Sequence, residues 1–242
     1  MQSHLAAPVI VLAIVSYLIP ASLAADQDRP RAFSKHPPRV SCKDKQEDLL
    51  KKNAPYVKRG DTYIFAGYAQ VSGKNQNPVI VRFDRGGFAW CRKDYETSGD
   101  DGRAYGLYFD GANFYAAFSV TGTQGAKSRD FRRFTRRGWL RSYGKGGGPK
   151  SAVILQLSPK DGRPLSGTYV NSILKNGKSN SFVITDMIFS GRGLEVQADA
   201  WFSPRKPDRT GMTCKGKSPF KATLLFNEDL TKLLESGARG CL

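Results

Sequence analysis

A dense group of cations interleaved with aromatic side chains occupies residues 127–150. Nine Lys or Arg residues stand there against one acid, Asp130. Guanidinium groups bind phosphate, sulfate or carboxylate oxygens in pairs, and aromatic faces stack on bases or sugar rings. We therefore predict that six cations and one tryptophan of this insertion form an anion-binding site: Arg132, Arg133, Arg136, Arg137, Arg141, Lys145 and Trp139.

A second interpretation of the same insertion remains open. Its cations would be solvated on an exposed loop, and its aromatic side chains would simply fill the protein core. The Gly146–Gly148 run could bring backbone amides near an anion. It lacks the spacing and the following helix of a nucleotide-binding loop, so it carries little weight as a nucleotide motif.

Four carboxylates beside predicted strands offer a different chemistry: Glu96, Asp110, Asp186 and Asp199. Glycoside hydrolysis uses two carboxyl groups about 5–10 Å apart that flank the scissile bond. Roles in turns or in solvent are the simpler interpretation, as for Asp110 immediately before Gly111. A carboxylate-dependent, glycan-active enzyme is therefore kept as an alternative function.

Histidine is scarce, and this limits the possible chemistry. The chain has only His4 and His36, which fall in a predicted leader and a predicted linker. Ser-His-Asp and Cys-His sites, and most zinc sites, need an imidazole held within the fold. The sequence thus excludes these classes and indicates neither a cofactor nor a metal. The acidic turn at 100–102 is better explained as an Asp-Gly turn than as a Ca²⁺ loop.

The amino terminus has the order of a secretory signal. Residues 1–24 carry no Lys, Arg, Asp or Glu, and an apolar run from Leu5 to Leu18 precedes a small-residue site ending at Ala24. We predict a signal peptide over 1–24, with a retained signal anchor as the alternative. Residues 25–40 are basic and Pro-rich, which predicts a flexible linker. A single domain would then occupy residues 41–242.

Four cysteines predict two disulfides, because an exported chain folds in an oxidising compartment. The residues are Cys42, Cys91, Cys214 and Cys241, and they allow three pairings. A Cys42–Cys241 bridge would join the two ends of the domain. The alternative pairs Cys214 with Cys241 inside the last segment.

The region between the termini is predicted to be β structure built from a repeat. A glycine turn followed by an apolar strand recurs at residues 60–67, 111–118 and 191–198. A second apolar strand follows each time and contains Phe83, Leu157 or Phe226, which are 74 and 69 residues apart. Such a unit cannot bury both faces alone and must stack on its neighbours. Short helices are predicted at both ends, over residues 42–53 and 227–237.

The repeat carries recognisable motifs. Residues 105–116 read Tyr-Gly-Leu-Tyr-Phe-Asp-Gly-Ala-Asn-Phe-Tyr-Ala, and residues 157–162 read Leu-Ser-Pro-Lys-Asp-Gly. Over about residues 60–226 these motifs resemble the repeats of bacterial exported β-propeller-repeat proteins. The resemblance implies an all-β, propeller-like fold of few blades or an open β sandwich, and it implies no particular activity. It departs from that family because only three units are visible, whereas closed propellers have at least four blades.

The net charge of +17 favours anionic partners. We predict a non-catalytic, exported binding or scaffolding domain that presents the 127–150 insertion at the cell envelope. The expected partner is an anionic envelope polymer, a lipid head group or an acidic protein, because export argues against genomic DNA. A structural subunit of an envelope assembly is a further alternative, and the oligomeric state is left open.

Overall fold

The computed structural model describes residues 27–123, 125–146 and 150–242. The predicted signal peptide, residues 1–24, lies outside the described residues. Within the described residues, helix is confined to α1 (Gln46–Lys51) and to a single-turn 3-10 helix (Phe131–Arg133). Among the described residues, no helix has the length and apolar character needed to cross a bilayer. The predicted all-β class is confirmed.

The described strands, in chain order, are β1 (Arg31–Phe33), β2 (Tyr56–Arg59), β3 (Thr62–Gln70), β4 (Gln76–Asp84), β5 (Gly87–Arg92), β6 (Gly102–Phe109), β7 (Phe114–Val120), β8 (Ser151–Leu157), β9 (Pro164–Val170), β10 (Ser172–Ile173), β11 (Ser179–Asn180), β12 (Phe182–Ser190), β13 (Gly193–Ala200), β14 (Phe220–Phe226) and β15 (Leu233–Ala238). Three antiparallel meanders contain most of them. The first sheet is β2-β3-β4-β5, the second is β6-β7-β8-β9 with β1 added beside β6, and the third is β12-β13-β14-β15. A small hairpin, β10-β11, stands apart from these sheets.

The glycine-turn strands found in the sequence take the same place in each sheet. They are β3, β7 and β13, the second strand of each meander. The later strands that contain Phe83, Leu157 and Phe226 are β4, β8 and β14, the third strand of each meander. The three predicted segments therefore follow matching backbone paths.

Irregularities in strand pairing also recur at corresponding positions. The pairing of the third strand with the fourth shifts register immediately before Phe83, Leu157 and Phe226. The pairing of the first strand with the second shifts between Ala104 and Gly106 and again between Ile184 and Asp186. A β-bulge bends its strand locally, so sheets with bulges at matching places share their curvature as well as their strand order.

The core lies between successive sheets. Ile64 and Ile80 of the first sheet share a buried cluster with Leu155 of the second. Ile154, the next residue of β8, belongs to a cluster shared with the third sheet. Because neighbouring residues of a strand point to opposite faces, β8 contributes to both interfaces. The second sheet is therefore packed on both of its faces.

The segment before α1 belongs to the fold, which differs from the predicted flexible linker. Arg29 forms a β-bridge to Lys58, and β1 pairs with β6. Ala32 and Val40 are buried. This segment lacks a long apolar run, so its order comes from backbone hydrogen bonds along sheet edges that only the folded chain provides.

Two glycines in the sheets leave space for this amino-terminal segment. A Cβ atom on Gly67 would collide with Val40 and with the Pro38 carbonyl, and one on Gly106 would collide with the Phe33 ring. Glycine is therefore required at these two strand positions, because other backbone and side-chain atoms occupy the space that a Cβ atom would take.

The predicted carboxy-terminal helix is wrong. Asn227 to Leu230 form a turn, in which Leu230 is buried with a φ of 61°, and β15 follows. Along β15, Leu233 is buried and Leu234 is exposed, which is the alternation of a strand. The amino-terminal helix is present as α1, which is shorter than predicted.

Two disulfides are present, as predicted. They join Cys42 to Cys91 and Cys214 to Cys241. The predicted bridge between the two ends of the domain is wrong, and the alternative pairing in the last segment is confirmed. Cys42–Cys91 instead attaches the segment before α1 to β5, the edge strand of the first sheet.

Candidate functional site

The aromatic side chains of the insertion are part of the protein core. Phe131, Trp139 and Tyr143 are at most 3% exposed. The Phe131 ring packs against Phe118 with centroids 5.1 Å apart, and the indole N–H of Trp139 donates to the Pro207 carbonyl at 3.0 Å. The structure thus removes Trp139 from the predicted anion-binding surface. Its role is to attach the insertion to the sheets beneath it.

Arg132 holds the insertion together from within. Asp130 is fully buried and accepts hydrogen bonds from the Arg132 backbone N–H at 2.8 Å and from its Nε at 2.7 Å. The same guanidinium donates to the carbonyl of Gly125. The hydrogen bond to Asp130 raises the pKa of Arg132 above its ordinary value. Arg132 therefore compensates a buried carboxylate and remains charged.

Arg133 attaches the insertion to the loop that follows β5. Its guanidinium donates to the carbonyls of Asp94 and Tyr95, the second at 3.2 Å. It also lies over the Phe134 ring, 4.5 Å from the centroid. Several donors of this side chain are thus used within the protein, which fixes its position.

A cleft of about 740 Å³ opens beside these two arginines. We call it the basic cleft, and its lining residues are Thr123, Lys127, Ser128, Arg132, Arg133, Arg136, Arg141, Ser142 and Gly144. Five of them are cations, three carry hydroxyl groups, and none carries a carboxylate. Within the described ranges, Lys127, Arg136 and Arg141 are exposed and make no ion pair. Their charges therefore face the cleft without a counter-charge from the protein.

The other predicted cations of the site lie outside the basic cleft. Arg137 is exposed and lines a neighbouring groove of about 390 Å³ that also contains Asp229. Lys145 is exposed, and its carbonyl accepts from the Ser179 backbone N–H at 2.8 Å. Of the glycine run, Gly147 and Gly148 lie outside the described residues. The structure thus brings together Arg132, Arg133, Arg136 and Arg141, and it adds Lys127.

Lys127 was omitted from the predicted site although it belongs to the same insertion. A sequence signal was present, because Lys127 and Ser128 open the basic run. The hydroxyl residues Thr123 and Ser142 carried no such signal, since only the folded chain places them at the rim.

Glu96 is a buried carboxyl in the loop between β5 and β6. Its side chain is fully buried, and Oε1 accepts from the Ser98 backbone N–H at 2.7 Å. Oε2 is buried and has no hydrogen-bond partner among the described residues. Burial raises the pKa of Glu96 to about 7, although the hydrogen bonds from Ser98 act in the opposite direction. A pKa near neutrality is common among catalytic carboxyls, but Glu96 lines none of the described clefts.

The remaining candidate carboxylates have separate structural partners. Asp110 accepts from the backbone N–H groups of the turn that follows β6. Asp186 forms an ion pair with Arg31 at 2.8 Å, and Asp199 forms one with Lys221. Asp199 lines a cleft between the second and third sheets that contains none of the other three. Within the described residues, the structure brings no two of these four candidates together on one described cleft, as glycoside hydrolysis would need.

His36 lies inside the described fold, contrary to the linker position assumed for it. It lines the same cleft as Asp199 and Ser119. In the described part of the chain, no hydrogen bond joins these three side chains. The sequence argument against a histidine within the fold therefore does not hold for His36, although a catalytic triad is not assembled.

Neither a protein-family model, nor a curated protein, nor a solved structure matches this chain. The resemblance to β-propeller-repeat proteins remains a prediction, and the candidate function rests on the geometry above.

Proposed function

We propose that this protein is a non-catalytic, exported binding domain whose basic cleft holds an anionic polymer of the cell envelope, such as a sulfated or phosphorylated polysaccharide. The observation that carries the proposal is a cleft lined by five cations and by no carboxylate. A polymer suits the surrounding surface better than a small ion does, because Arg136 borders both the basic cleft and the neighbouring groove with Arg137. Successive anionic groups of one chain would contact both places.

The cleft is preorganised for such a ligand. Arg132 and Arg133 are held by Asp130 and by backbone carbonyls, and the aromatic residues beneath them are core residues. Binding then restricts few side chains beyond Lys127, Arg136 and Arg141, which lowers its entropic penalty. The hydroxyl groups of Ser128 and Ser142 supply neutral donors between the charges.

Export of the protein is part of the proposal. The two disulfides support it, because such bonds persist in oxidising compartments. A partner outside the cell membrane is then required, which favours envelope polymers over genomic DNA.

The scaffold is proposed to be a three-module, propeller-like repeat. Matching strand order and matching bulges support a repeated unit. The first strands of the modules also lie near the amino-terminal segment. Arg29 bridges to β2, β1 pairs with β6, and Arg31 forms an ion pair with Asp186 of β12. The segment would thus take the axial position that a channel has in larger propellers.

Heparin affinity chromatography and titration test the proposal. The test variant replaces Lys127, Arg136 and Arg141 with Gln. The matched control replaces Lys74, Lys175 and Lys217, which are exposed and line no part of the basic cleft, so that both proteins lose the same net charge. We expect the test variant to bind about 10- to 100-fold more weakly and the control to change less than about 3-fold.

The salt dependence of heparin affinity distinguishes direct contacts with individual cations from long-range attraction by the net positive charge of the protein. Each cation that contacts the polymer contributes about one unit to the slope of log K against log salt, so the test variant should lose about three units. Equal losses in the two variants would refute the cleft as the site. Anionic vesicles and polyglutamate, titrated in parallel, show whether a lipid surface or an acidic protein is preferred instead of the polysaccharide.

The alternatives have less support. Among the described residues, the four carboxylates predicted from the sequence have separate partners and share no described cleft, which weakens the case for a carboxylate-dependent enzyme.

A further inference from the structure

A second cleft lies at the contact between the second and third sheets. Its volume is about 330 Å³, at the lower end of the range for small-ligand pockets. Residues 35–37 of the amino-terminal segment cover one side of it, and we call it the inter-sheet cleft. Its lining residues are Lys35, His36, Pro37, Arg103, Tyr105, Ser119, Lys150, Phe182, Val183, Asp199 and Trp201.

The walls of the inter-sheet cleft are apolar and fixed. Tyr105 is 6% exposed, and its hydroxyl oxygen accepts from the Ile184 backbone N–H at 2.9 Å. Phe182 is buried in the core cluster shared by the second and third sheets. The Trp201 backbone N–H donates to the Ser181 carbonyl at 3.1 Å. These contacts hold flat side chains around the cleft in positions set by the sheets.

Trp201 differs from the other two tryptophans of the chain. The indole N–H groups of Trp90 and Trp139 donate to backbone carbonyls, at 3.2 and 3.0 Å. The indole N–H of Trp201 has no acceptor within the described residues, and the side chain is only partly buried. Trp90 and Trp139 therefore have their polar atom satisfied by the fold, whereas Trp201 lines the cleft and its indole N–H has no acceptor among the described residues.

The rim of the inter-sheet cleft is positively charged. Lys35 and Lys150 are exposed and make no ion pair in the described ranges. Arg103 is held in place by Gln76 and by the Tyr68 ring, 4.8 Å from its centroid.

The rim has little compensating negative charge. Asp199, the carboxylate of this lining, is 5% exposed and already bound by Lys221. The net field at the opening is therefore attractive to an anion.

We propose that the inter-sheet cleft binds a small amphipathic anion, with a flat apolar body against Trp201 and Tyr105 and one anionic group at the Lys35–Lys150 rim. The apolar wall favours a ring or a short hydrocarbon body by burial, and the rim selects for a carboxylate, sulfonate or phosphate. This site is separate from the basic cleft, since the two share no lining residue. It would give the protein a small-molecule ligand besides its polymer.

Fluorescence titration with 8-anilinonaphthalene-1-sulfonate tests the proposal directly. The probe carries a flat apolar body and one sulfonate, and the uncharged N-phenyl-1-naphthylamine is its matched control ligand. We expect saturable binding of one sulfonate probe per chain, at least about 10-fold tighter than binding of the neutral probe. Non-saturable emission, or equal affinity for both probes, would overturn the proposal.

Variants then locate the probe. Lys35→Gln with Lys150→Gln should weaken the sulfonate probe about 5- to 10-fold and leave the neutral probe unchanged, and these surface changes do not threaten the fold. Trp201→Ala should weaken both probes about 10-fold or more, whereas Phe88→Ser, at a side chain 57% exposed on the first sheet, should change neither. Unchanged affinity in both cleft variants would refute the site.

The basic-cleft variant separates this proposal from the proposed function. The variant Lys127→Gln, Arg136→Gln, Arg141→Gln should keep probe affinity within about 2-fold of the wild type, because the three residues do not line the inter-sheet cleft. If that variant instead loses the probe, the dye has bound the basic cleft and the inter-sheet site is wrong, whatever the heparin result.

Discussion

Glu96 provides a sharp test of how the loop between the first two sheets is built. The side chain is 0% exposed, and one carboxyl oxygen finds no hydrogen-bond partner in the part of the chain that the structure describes. Burial raises its pKa from 4.5 to about 7, and the charges of Asp100 and Asp130 act in the same direction. The folded protein therefore prefers the neutral acid across the weakly acidic range.

The sign and size of the effect on stability follow from proton linkage. Between pH 4.5 and about 7, the unfolded chain has released the Glu96 proton, while the folded chain retains it. The stabilisation is fully present below pH 4.5 and is lost as the pH rises through the folded pKa. One pKa unit corresponds to about 1.4 kcal/mol, so the wild-type protein should lose up to about 3 kcal/mol of unfolding free energy over this range.

The variant Glu96→Gln removes this titration and retains an oxygen acceptor for Ser98. We expect urea unfolding of the variant to be nearly independent of pH between about pH 5 and about pH 8.5, and its stability to exceed that of the wild type by about 2–3 kcal/mol at the higher pH. His36→Gln is the control, because His36 is the histidine of the described fold, and it should keep the wild-type slope. If Glu96→Gln retains the full wild-type pH dependence, the burial argument for Glu96 is wrong.

Two further predictions concern the insertion. Arg132→Gln leaves the fully buried Asp130 without its charged partner and should lower the free energy of unfolding by about 3 kcal/mol, measured with heat or urea. Arg136→Gln is the control and should change this free energy by less than about 0.5 kcal/mol. Equal losses in the two variants would contradict the separate roles of the two arginines. Trp139→Phe removes the hydrogen bond to Pro207 and should lower the free energy of unfolding by about 1–2 kcal/mol. Heparin affinity should not change, because the side chain is buried. Weaker heparin binding with unchanged stability would show that Trp139 contributes to the binding surface after all.

The strands were predictable because their signal is local. Glycine turns followed by alternating or continuous apolar residues mark β3, β7 and β13 without knowledge of their partners. The bulges before Phe83, Leu157 and Phe226 were not predictable, because a register shift depends on the geometry of two paired strands.

The errors at both ends of the domain have physical causes. Leu230, Leu233 and Leu234 have the spacing of a helix face, but the third sheet needed a fourth strand beside β14, and tertiary pairing overrode the local pattern. Residues 27–40 have few large apolar side chains, and what orders them is pairing with β2 and β6. Such long-range pairing leaves no periodic signal in the segment itself.

The candidate site shows the same division between local and tertiary information. Sequence alone located the cations, but it could not separate Arg132, which neutralises a buried carboxylate, from Arg136, which faces the cleft. That difference depends on whether the guanidinium group is buried. The residue type does not determine this for arginine, because its long side chain can reach a buried partner or the protein surface.

The insertion thus has two roles: some of its residues pack in the core, and others line the basic cleft. Its aromatic residues and Arg132 replace solvent contacts with core contacts, which fixes the backbone from Asp130 to Tyr143. A backbone fixed in this way holds the side chains of Arg136 and Arg141 in one cleft beside Lys127, although like charges repel. That repulsion is present in the unliganded protein, and the proposed binding of an anion would relieve it. The basic cleft should therefore gain affinity from the relief of repulsion as well as from direct contacts. A flexible loop of the same composition would spread its charges apart, so it would have less repulsion to relieve.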